Sequence, residues 1–233
     1  MGEYFHFVDY VRDTKILEYA VAFLFIGLFA IYYKLMQAPA QPVEAKETVV
    51  SRAINMIKGF LVPEGVSYHP GHTWAHTEGE GLAAVGVDDF AQKLIGKIDK
   101  VVLPQVGDTV RQGEKAWTLV IDGKSIDMLS PVSGEVVEVN AGLAESAQAI
   151  NDDPYGAWMV KVQSPKLSVS LKNLLSGVMA QKWTETAVEN LFAKAHVEMG
   201  AVAGDGGSPV SGVAKNLDPE HWDEVAKEFF LTE

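Results

Sequence analysis

The 233-residue chain contains no cysteine. That excludes disulfides, thiolate metal sites, cysteine-held iron–sulfur clusters and a thiol nucleophile. It also lacks any run of basic residues: 31 acidic residues face 19 basic ones, for a net charge of −12. A surface of that sign repels phosphate backbones, so nucleic acid is not an expected partner. No internal repeat is visible; Ser-Pro-Val-Ser-Gly occurs at 130–134 and again at 208–212, but between different flanks. A Ser–His–Asp order, a phosphate loop and a dinucleotide fingerprint are all missing, so the chain does not read as an enzyme.

What is present begins with one long hydrophobic run. Residues 16–36 read ILEYAVAFLFIGLFAIYYKLM, and 19–33 carry no charge. At about 1.5 Å per residue this predicts a transmembrane helix, with Glu18 and Lys34 near its ends and Tyr19, Tyr32 and Tyr33 at the interfaces. The alternative, a cleaved leader ending at the Ala-Pro-Ala of 38–40, fits poorly with the acidic Glu3, Asp9 and Asp13. Lys34, Lys46, Arg52 and Lys58 outweigh Arg12 and Lys15, which places the following domain in the cytoplasm, below an inner membrane. Residues 1–15, with the aromatic YFHFVDYV of 4–11 and its His6, read as an interfacial segment. Residues 37–64 read as a linker, beginning with the proline-rich QAPAQPVEAKET. Glu18, Gly27 and Ala30 are the positions in the run suited to close or polar helix–helix contact.

From 65 to 164 the texture changes to short strand-length runs separated by Gly, Pro and Asp. GLAAVGV (81–87) reads as a strand and DDFAQKLIG (88–96) as a short helix opened by an acidic cap. KIDKVVLP, DTVRQGEKAWTLVI, KSIDMLSP, GEVVEVN and AWMVKV complete a mainly β domain, a flattened sandwich. TLVI-DG-KSID is a hairpin signal in its own right. Asp-Gly supplies the two positive φ angles of a type I′ turn, which puts Asp122 and Gly123 at the tip and Lys124 on the returning strand.

Several of these motifs, in this order, resemble the glycine cleavage system H protein family, a relative of lipoyl and biotinyl domains. They are HTWA (72–75), VGVDDFAQKLIGKIDKVVLPQVGDTVRQGE (85–114), SPVSGEVVEVN (130–140) and NDDPYGAWMVKV (151–162). The resemblance implies a hammerhead-type fold of two small sheets over about 66–164. It also implies a lipoyl lysine at a hairpin tip, in a Glu-Ser-x-Lys-Ala-like turn. The family spacing, counted back from Ser130, lands on Gly123 and not on Lys124. One residue of slip turns a strand side chain to the other face. The acid that precedes the family's lysine is also absent, since Val120 and Ile121 occupy that region. The expected cofactor is therefore none, with lipoate on Lys124 as the alternative.

His69, His72 and His76 lie close together in YHPGHTWAH, but the family strand accounts for His72 and no metal is expected there. Asp88, Asp89, Asp152 and Asp153 read as caps and turns. Residues 165–233 read as a mostly helical extension, with a break at Gly177 and a last helix opening at Asp218-Pro219. The apolar stripe of that helix either packs on the neighbouring domain or meets a partner, and Trp183, Trp222 and Phe229 are the leading partner-binding candidates. Taken together the sequence points to a non-lipoylated H-protein-like scaffold or accessory subunit. Its expected partners are the lipid bilayer and the other subunits of a membrane complex, respiratory or otherwise energy-converting. The alternative is a membrane-tethered lipoyl carrier.

Overall fold

A computed structural model describes residues 15, 18, 19, 21–30, 54–199 and 211–232. The chain divides after residue 51 into two units, each described by itself. In the first, the described residues are helical, and 21–30 form a continuous exposed stretch. No helix among the described residues is long and apolar enough to cross a membrane. The expected span over 16–36 is therefore not supported. The single-pass inner-membrane placement drawn from it is corrected, and the bilayer goes with it as a partner. The expected interfacial segment with His6 and the proline-rich 37–48 lie outside the described residues.

The second unit is built on three sheets. A two-stranded sheet pairs β1 (Ile54–Ile57) with β2 (Phe60–Pro63), so the end of the stretch read as linker is a hairpin. A six-stranded sheet runs β3 (Ser67–His69), β4 (Thr73–Gly79), β5 (Leu82–Val87), β11 (Val160–Gln163), β10 (Gly134–Val139), β7 (Thr109–Val110). A three-stranded sheet runs β6 (Lys100–Val102), β8 (Lys115–Ile121), β9 (Lys124–Leu129).

The burial of each strand follows its sequence. β5 reads LAAVGV and is buried along nearly its whole length, as an apolar run in the middle of a sheet should be. β8 and β9 alternate, so Trp117, Leu119, Ile121, Ile126 and Met128 point inward with 1% exposure or less. Their register places Leu119 opposite Ile126 and Trp117 opposite Met128. Helix α1 (Asp89–Ile95) starts where the acidic pair predicts: Asp88 is the N-cap and accepts a 2.8 Å hydrogen bond from the Ala91 N–H.

Two one-turn helices, α2 (Gly142–Glu145) and α3 (Ala149–Asp152), lead to β11. Then come α4 (Leu167–Lys172), α5 (Gly177–Met199), α6 (Val213–Leu217) and α7 (Trp222–Phe230). The Gly177 break opens α5. Asp218 does not cap α7 directly; its carboxylate accepts from the Glu220 and His221 N–H groups in the turn before that helix. Trp222, Ala226 and Phe230 recur at i, i+4 and i+8, and that face is buried in the main core with Leu119, Ile126 and Phe90.

Candidate functional site

The β8–β9 hairpin closes as its sequence demands. Ile121 pairs with Lys124, and Asp122 (φ 50°) and Gly123 (φ 76°) are both left-handed, the signature of a type I′ turn. Glycine is at home there; Asp122 is held by its surroundings, its N–H donating to the Asp99 carboxylate at 2.8 Å. Lys124 is the first residue of the returning strand, beside the tip.

The end of that lysine makes two hydrogen bonds. Its Nζ donates to the Glu220 carbonyl at 2.5 Å and to the Asp223 carboxylate. It also lies 5.5 Å from the centre of the Trp222 ring. Lys215 approaches the same ring at 5.1 Å while donating to Asp122 Oδ2 at 2.6 Å. One indole thus sits beneath two ammonium groups, each paired with a carboxylate. The hydrogen bond from Lys124 holds the Asp223 carboxyl below the usual carboxylate range, outweighing the opposing effect of burial. Both ends of the hairpin tip are tied to the α6–α7 segment, which packs along β9 and α1.

The second place where α7 meets a turn is 69–73. His72 takes a left-handed φ of 60°, unusual for a side chain with a Cβ. Its Nδ1 lies 2.8 Å from Asp88 Oδ2, and both residues are buried, at 2% and 3% exposure. The imidazole stacks on Phe90 at 4.1 Å and faces Trp183 at 4.6 Å. His69 Nδ1 accepts from the Gly71 N–H, and His76 Nδ1 lies 3.1 Å from the Gly65 carbonyl. Burial first, and His72 second, push the His69 pKa down. The three histidines have three separate environments, and among the described residues no group of three or more potential ligands converges on a metal position.

The other expected site residues fall in different places. Trp222 is 4% exposed and belongs to the chain's own core, so its indole presents no free face to a second protein. The stripe it leads packs inward because the hairpin lies directly against it. Trp183 and Phe229 are half-buried and line an open cavity. Glu18, Gly27 and Ala30 lie in the exposed N-terminal helical stretch, and nothing stands within 4 Å of a Cβ placed on Gly27. Asp153 is a turn residue, accepting from the Tyr155 and Gly156 N–H groups. Sequence reasoning missed Lys215, Glu220 and Asp223. Their only local signal, acids around the start of a helix, is the ordinary signal of a cap.

A mainly β domain of small sheets with a lysine beside a hairpin tip is the architecture of lipoyl-type domains. Within it, this chain belongs to the glycine cleavage H-protein family, whose model matches residues 66–190. It is 40% identical over 126 residues to a probable glycine cleavage system H protein of Pyrococcus abyssi, covering 54% of this chain and 92% of that one. It is also 40% identical over 119 residues to the glycine cleavage system H protein of Hydrogenovibrio crunogenus, covering 51% and 92%. A crystal structure of a glycine cleavage system H protein from Mycobacterium marinum aligns over 55% of this chain and 99% of that one, at 29% identity and a TM-score of 0.48. H proteins are carriers that serve partner enzymes and are not themselves catalysts, so the chain is not an enzyme.

Proposed function

We propose that this chain is a non-lipoylated member of the H-protein family that works as a scaffold or accessory component of a multi-protein assembly. The observation that carries the reading is the state of Lys124. Attaching lipoate would turn its ammonium into an amide, removing the charge that Asp223 faces and two of the three N–H donors. Asp223, itself 20% exposed, would lose its cation, and the indole of Trp222 would lose one of its two. The residues around Lys124 therefore do not fit the group. The one-residue offset from Ser130 and the Asp-Gly tip support the same reading.

A second reading is kept because Lys124 stands within one residue of the hairpin tip and the relatives are named as glycine cleavage system H proteins. Under it, the chain serves that system as a lipoyl carrier. Intact mass and peptide mapping decide between the two, on full-length chain co-expressed with a lipoate–protein ligase. The expected result is an unmodified Lys124 peptide; a lipoyl group on it overturns the scaffold reading.

A further inference from the structure

Between the 69–72 turn, α5 and α7 lies a cavity of about 710 Å³. That is within the range of small-molecule sites, about 300–1,000 Å³. Pro70, Trp183 and Phe229 form much of its wall, and His72 lines it as a side chain only 2% exposed. With Nδ1 turned to Asp88, the ring has one polar atom left, Nε2, and no hydrogen bond among the described residues reaches it. The sealed side-chain polar atoms without a partner, among the described residues, are Trp117 Nε1 and Thr232 Oγ1. His72 Nε2 is not one of them, and His72 lines the cavity. A buried imidazole held by a carboxylate, stacked between two aromatic rings and strained at φ 60°, ends on a bare nitrogen in an open slot.

We propose that this cavity binds a small, uncharged, planar aromatic molecule that carries one O–H or N–H donor. In the neutral ring, Nδ1–H donates to Asp88 and leaves Nε2 as an acceptor, which a ligand carrying a donor would match. The Trp183 and Phe229 walls favour a flat apolar body. At the outer edge Lys194 and Glu228 neutralise each other at 2.6 Å, so nothing there selects for charge. The chain's charge of −12 works against an anion. The cavity is independent of the state of Lys124, and its test leaves the scaffold reading untouched.

The test is calorimetric titration of the full-length chain with 2-naphthol and with 2-methoxynaphthalene, which keeps the rings and lacks the donor. Side-chain ¹⁵N spectra of His72 are followed alongside. 2-Naphthol is expected to bind one per chain and to move the Nε2 resonance, and its methyl ether to bind at least tenfold more weakly. Ala193→Trp, at an exposed α5 position lining the cavity, is expected to abolish binding without moving the unfolding midpoint. Equal affinity for the two compounds, a static Nε2 resonance, full binding to the Trp variant or no binding at millimolar 2-naphthol would each overturn the proposal.

Discussion

Two tight turns meet the same helix and are closed in opposite ways. At the β8–β9 tip, the charged groups are satisfied: Lys124 by Asp223 and the Glu220 carbonyl, Asp122 by Lys215. At the 69–73 turn, the end of α7 comes as close, yet His72 keeps one nitrogen unused. The difference teaches where binding capacity is left in this chain. Under the scaffold reading proposed above, a hairpin lysine paired within its own chain does not serve as an outward arm. The polar atom still on offer is on the other turn, behind the helix that supplies that pairing.

The largest effect expected comes from removing what both turns share. Trp222→Ala deletes a 4%-exposed indole that supports α7 and lies beneath both lysines. Truncating a buried tryptophan costs about 3–5 kcal/mol. Urea unfolding of the full chain is expected to show a loss of that order. A loss below about 1 kcal/mol would mean the indole is a surface group and would restore it as a partner-binding candidate.

A smaller change separates the two turns. A Cβ on Gly71 would stand 2.7 Å from the Phe230 carbonyl and 3.1 Å from His69 Nδ1, so Gly71→Ala forces the end of α7 off the His72 turn. The expected cost is about 1–3 kcal/mol, typical of overpacking. Because the Lys124 contacts lie at the other end of the helix, amide exchange is expected to rise near 229–231 and to stay slow along β9. Equal loosening of both regions would show that the turns are not independently closed.

How much of this was legible in the sequence follows from the range of each interaction. The hairpin tip was legible because Asp122 and Gly123 carry their φ requirement locally, and α1 because Asp88 caps a neighbour three residues on. The seat of α7 was not legible. Lys124 and Asp223 are 99 residues apart, and an apolar stripe with Trp222 at its head reads the same whether it faces its own domain or a stranger. The expected membrane helix failed for a related reason. Hydropathy over 16–36 measures what a segment could bury, not whether it forms a spanning helix, and no helix among the described residues is long and apolar enough to cross a membrane. His72 was explained away by its family strand. Its contacts with Asp88 and Phe90 exist only in the folded chain.

The smallest expected effect concerns the Lys124–Asp223 pair, and its sign with pH is fixed. Lys124 is 36% exposed and Asp223 20%, so the pair is screened, and Lys124→Ala is expected to cost only about 1 kcal/mol. Asp223 has a depressed folded-state pKa, caused first by the hydrogen bond from Lys124. The contribution is therefore fully present above the ordinary carboxylate value, about 3.9, and is lost as pH falls through the lower folded value. Lys227 acts on Asp223 in the same direction, and Asp127, raised by burial but brought below the ordinary value by its hydrogen bonds from Lys115 and Thr118, adds a loss of the same sign. Wild-type stability is then expected to fall on going from pH 7 to pH 3. Asp223→Asn is expected to be less stable at pH 7 and to lose less over that interval. If the Asn variant shows the same pH dependence as wild type, the ammonium of Lys124 is not held by that carboxylate, and the main argument against its serving as a carrier lysine falls with it.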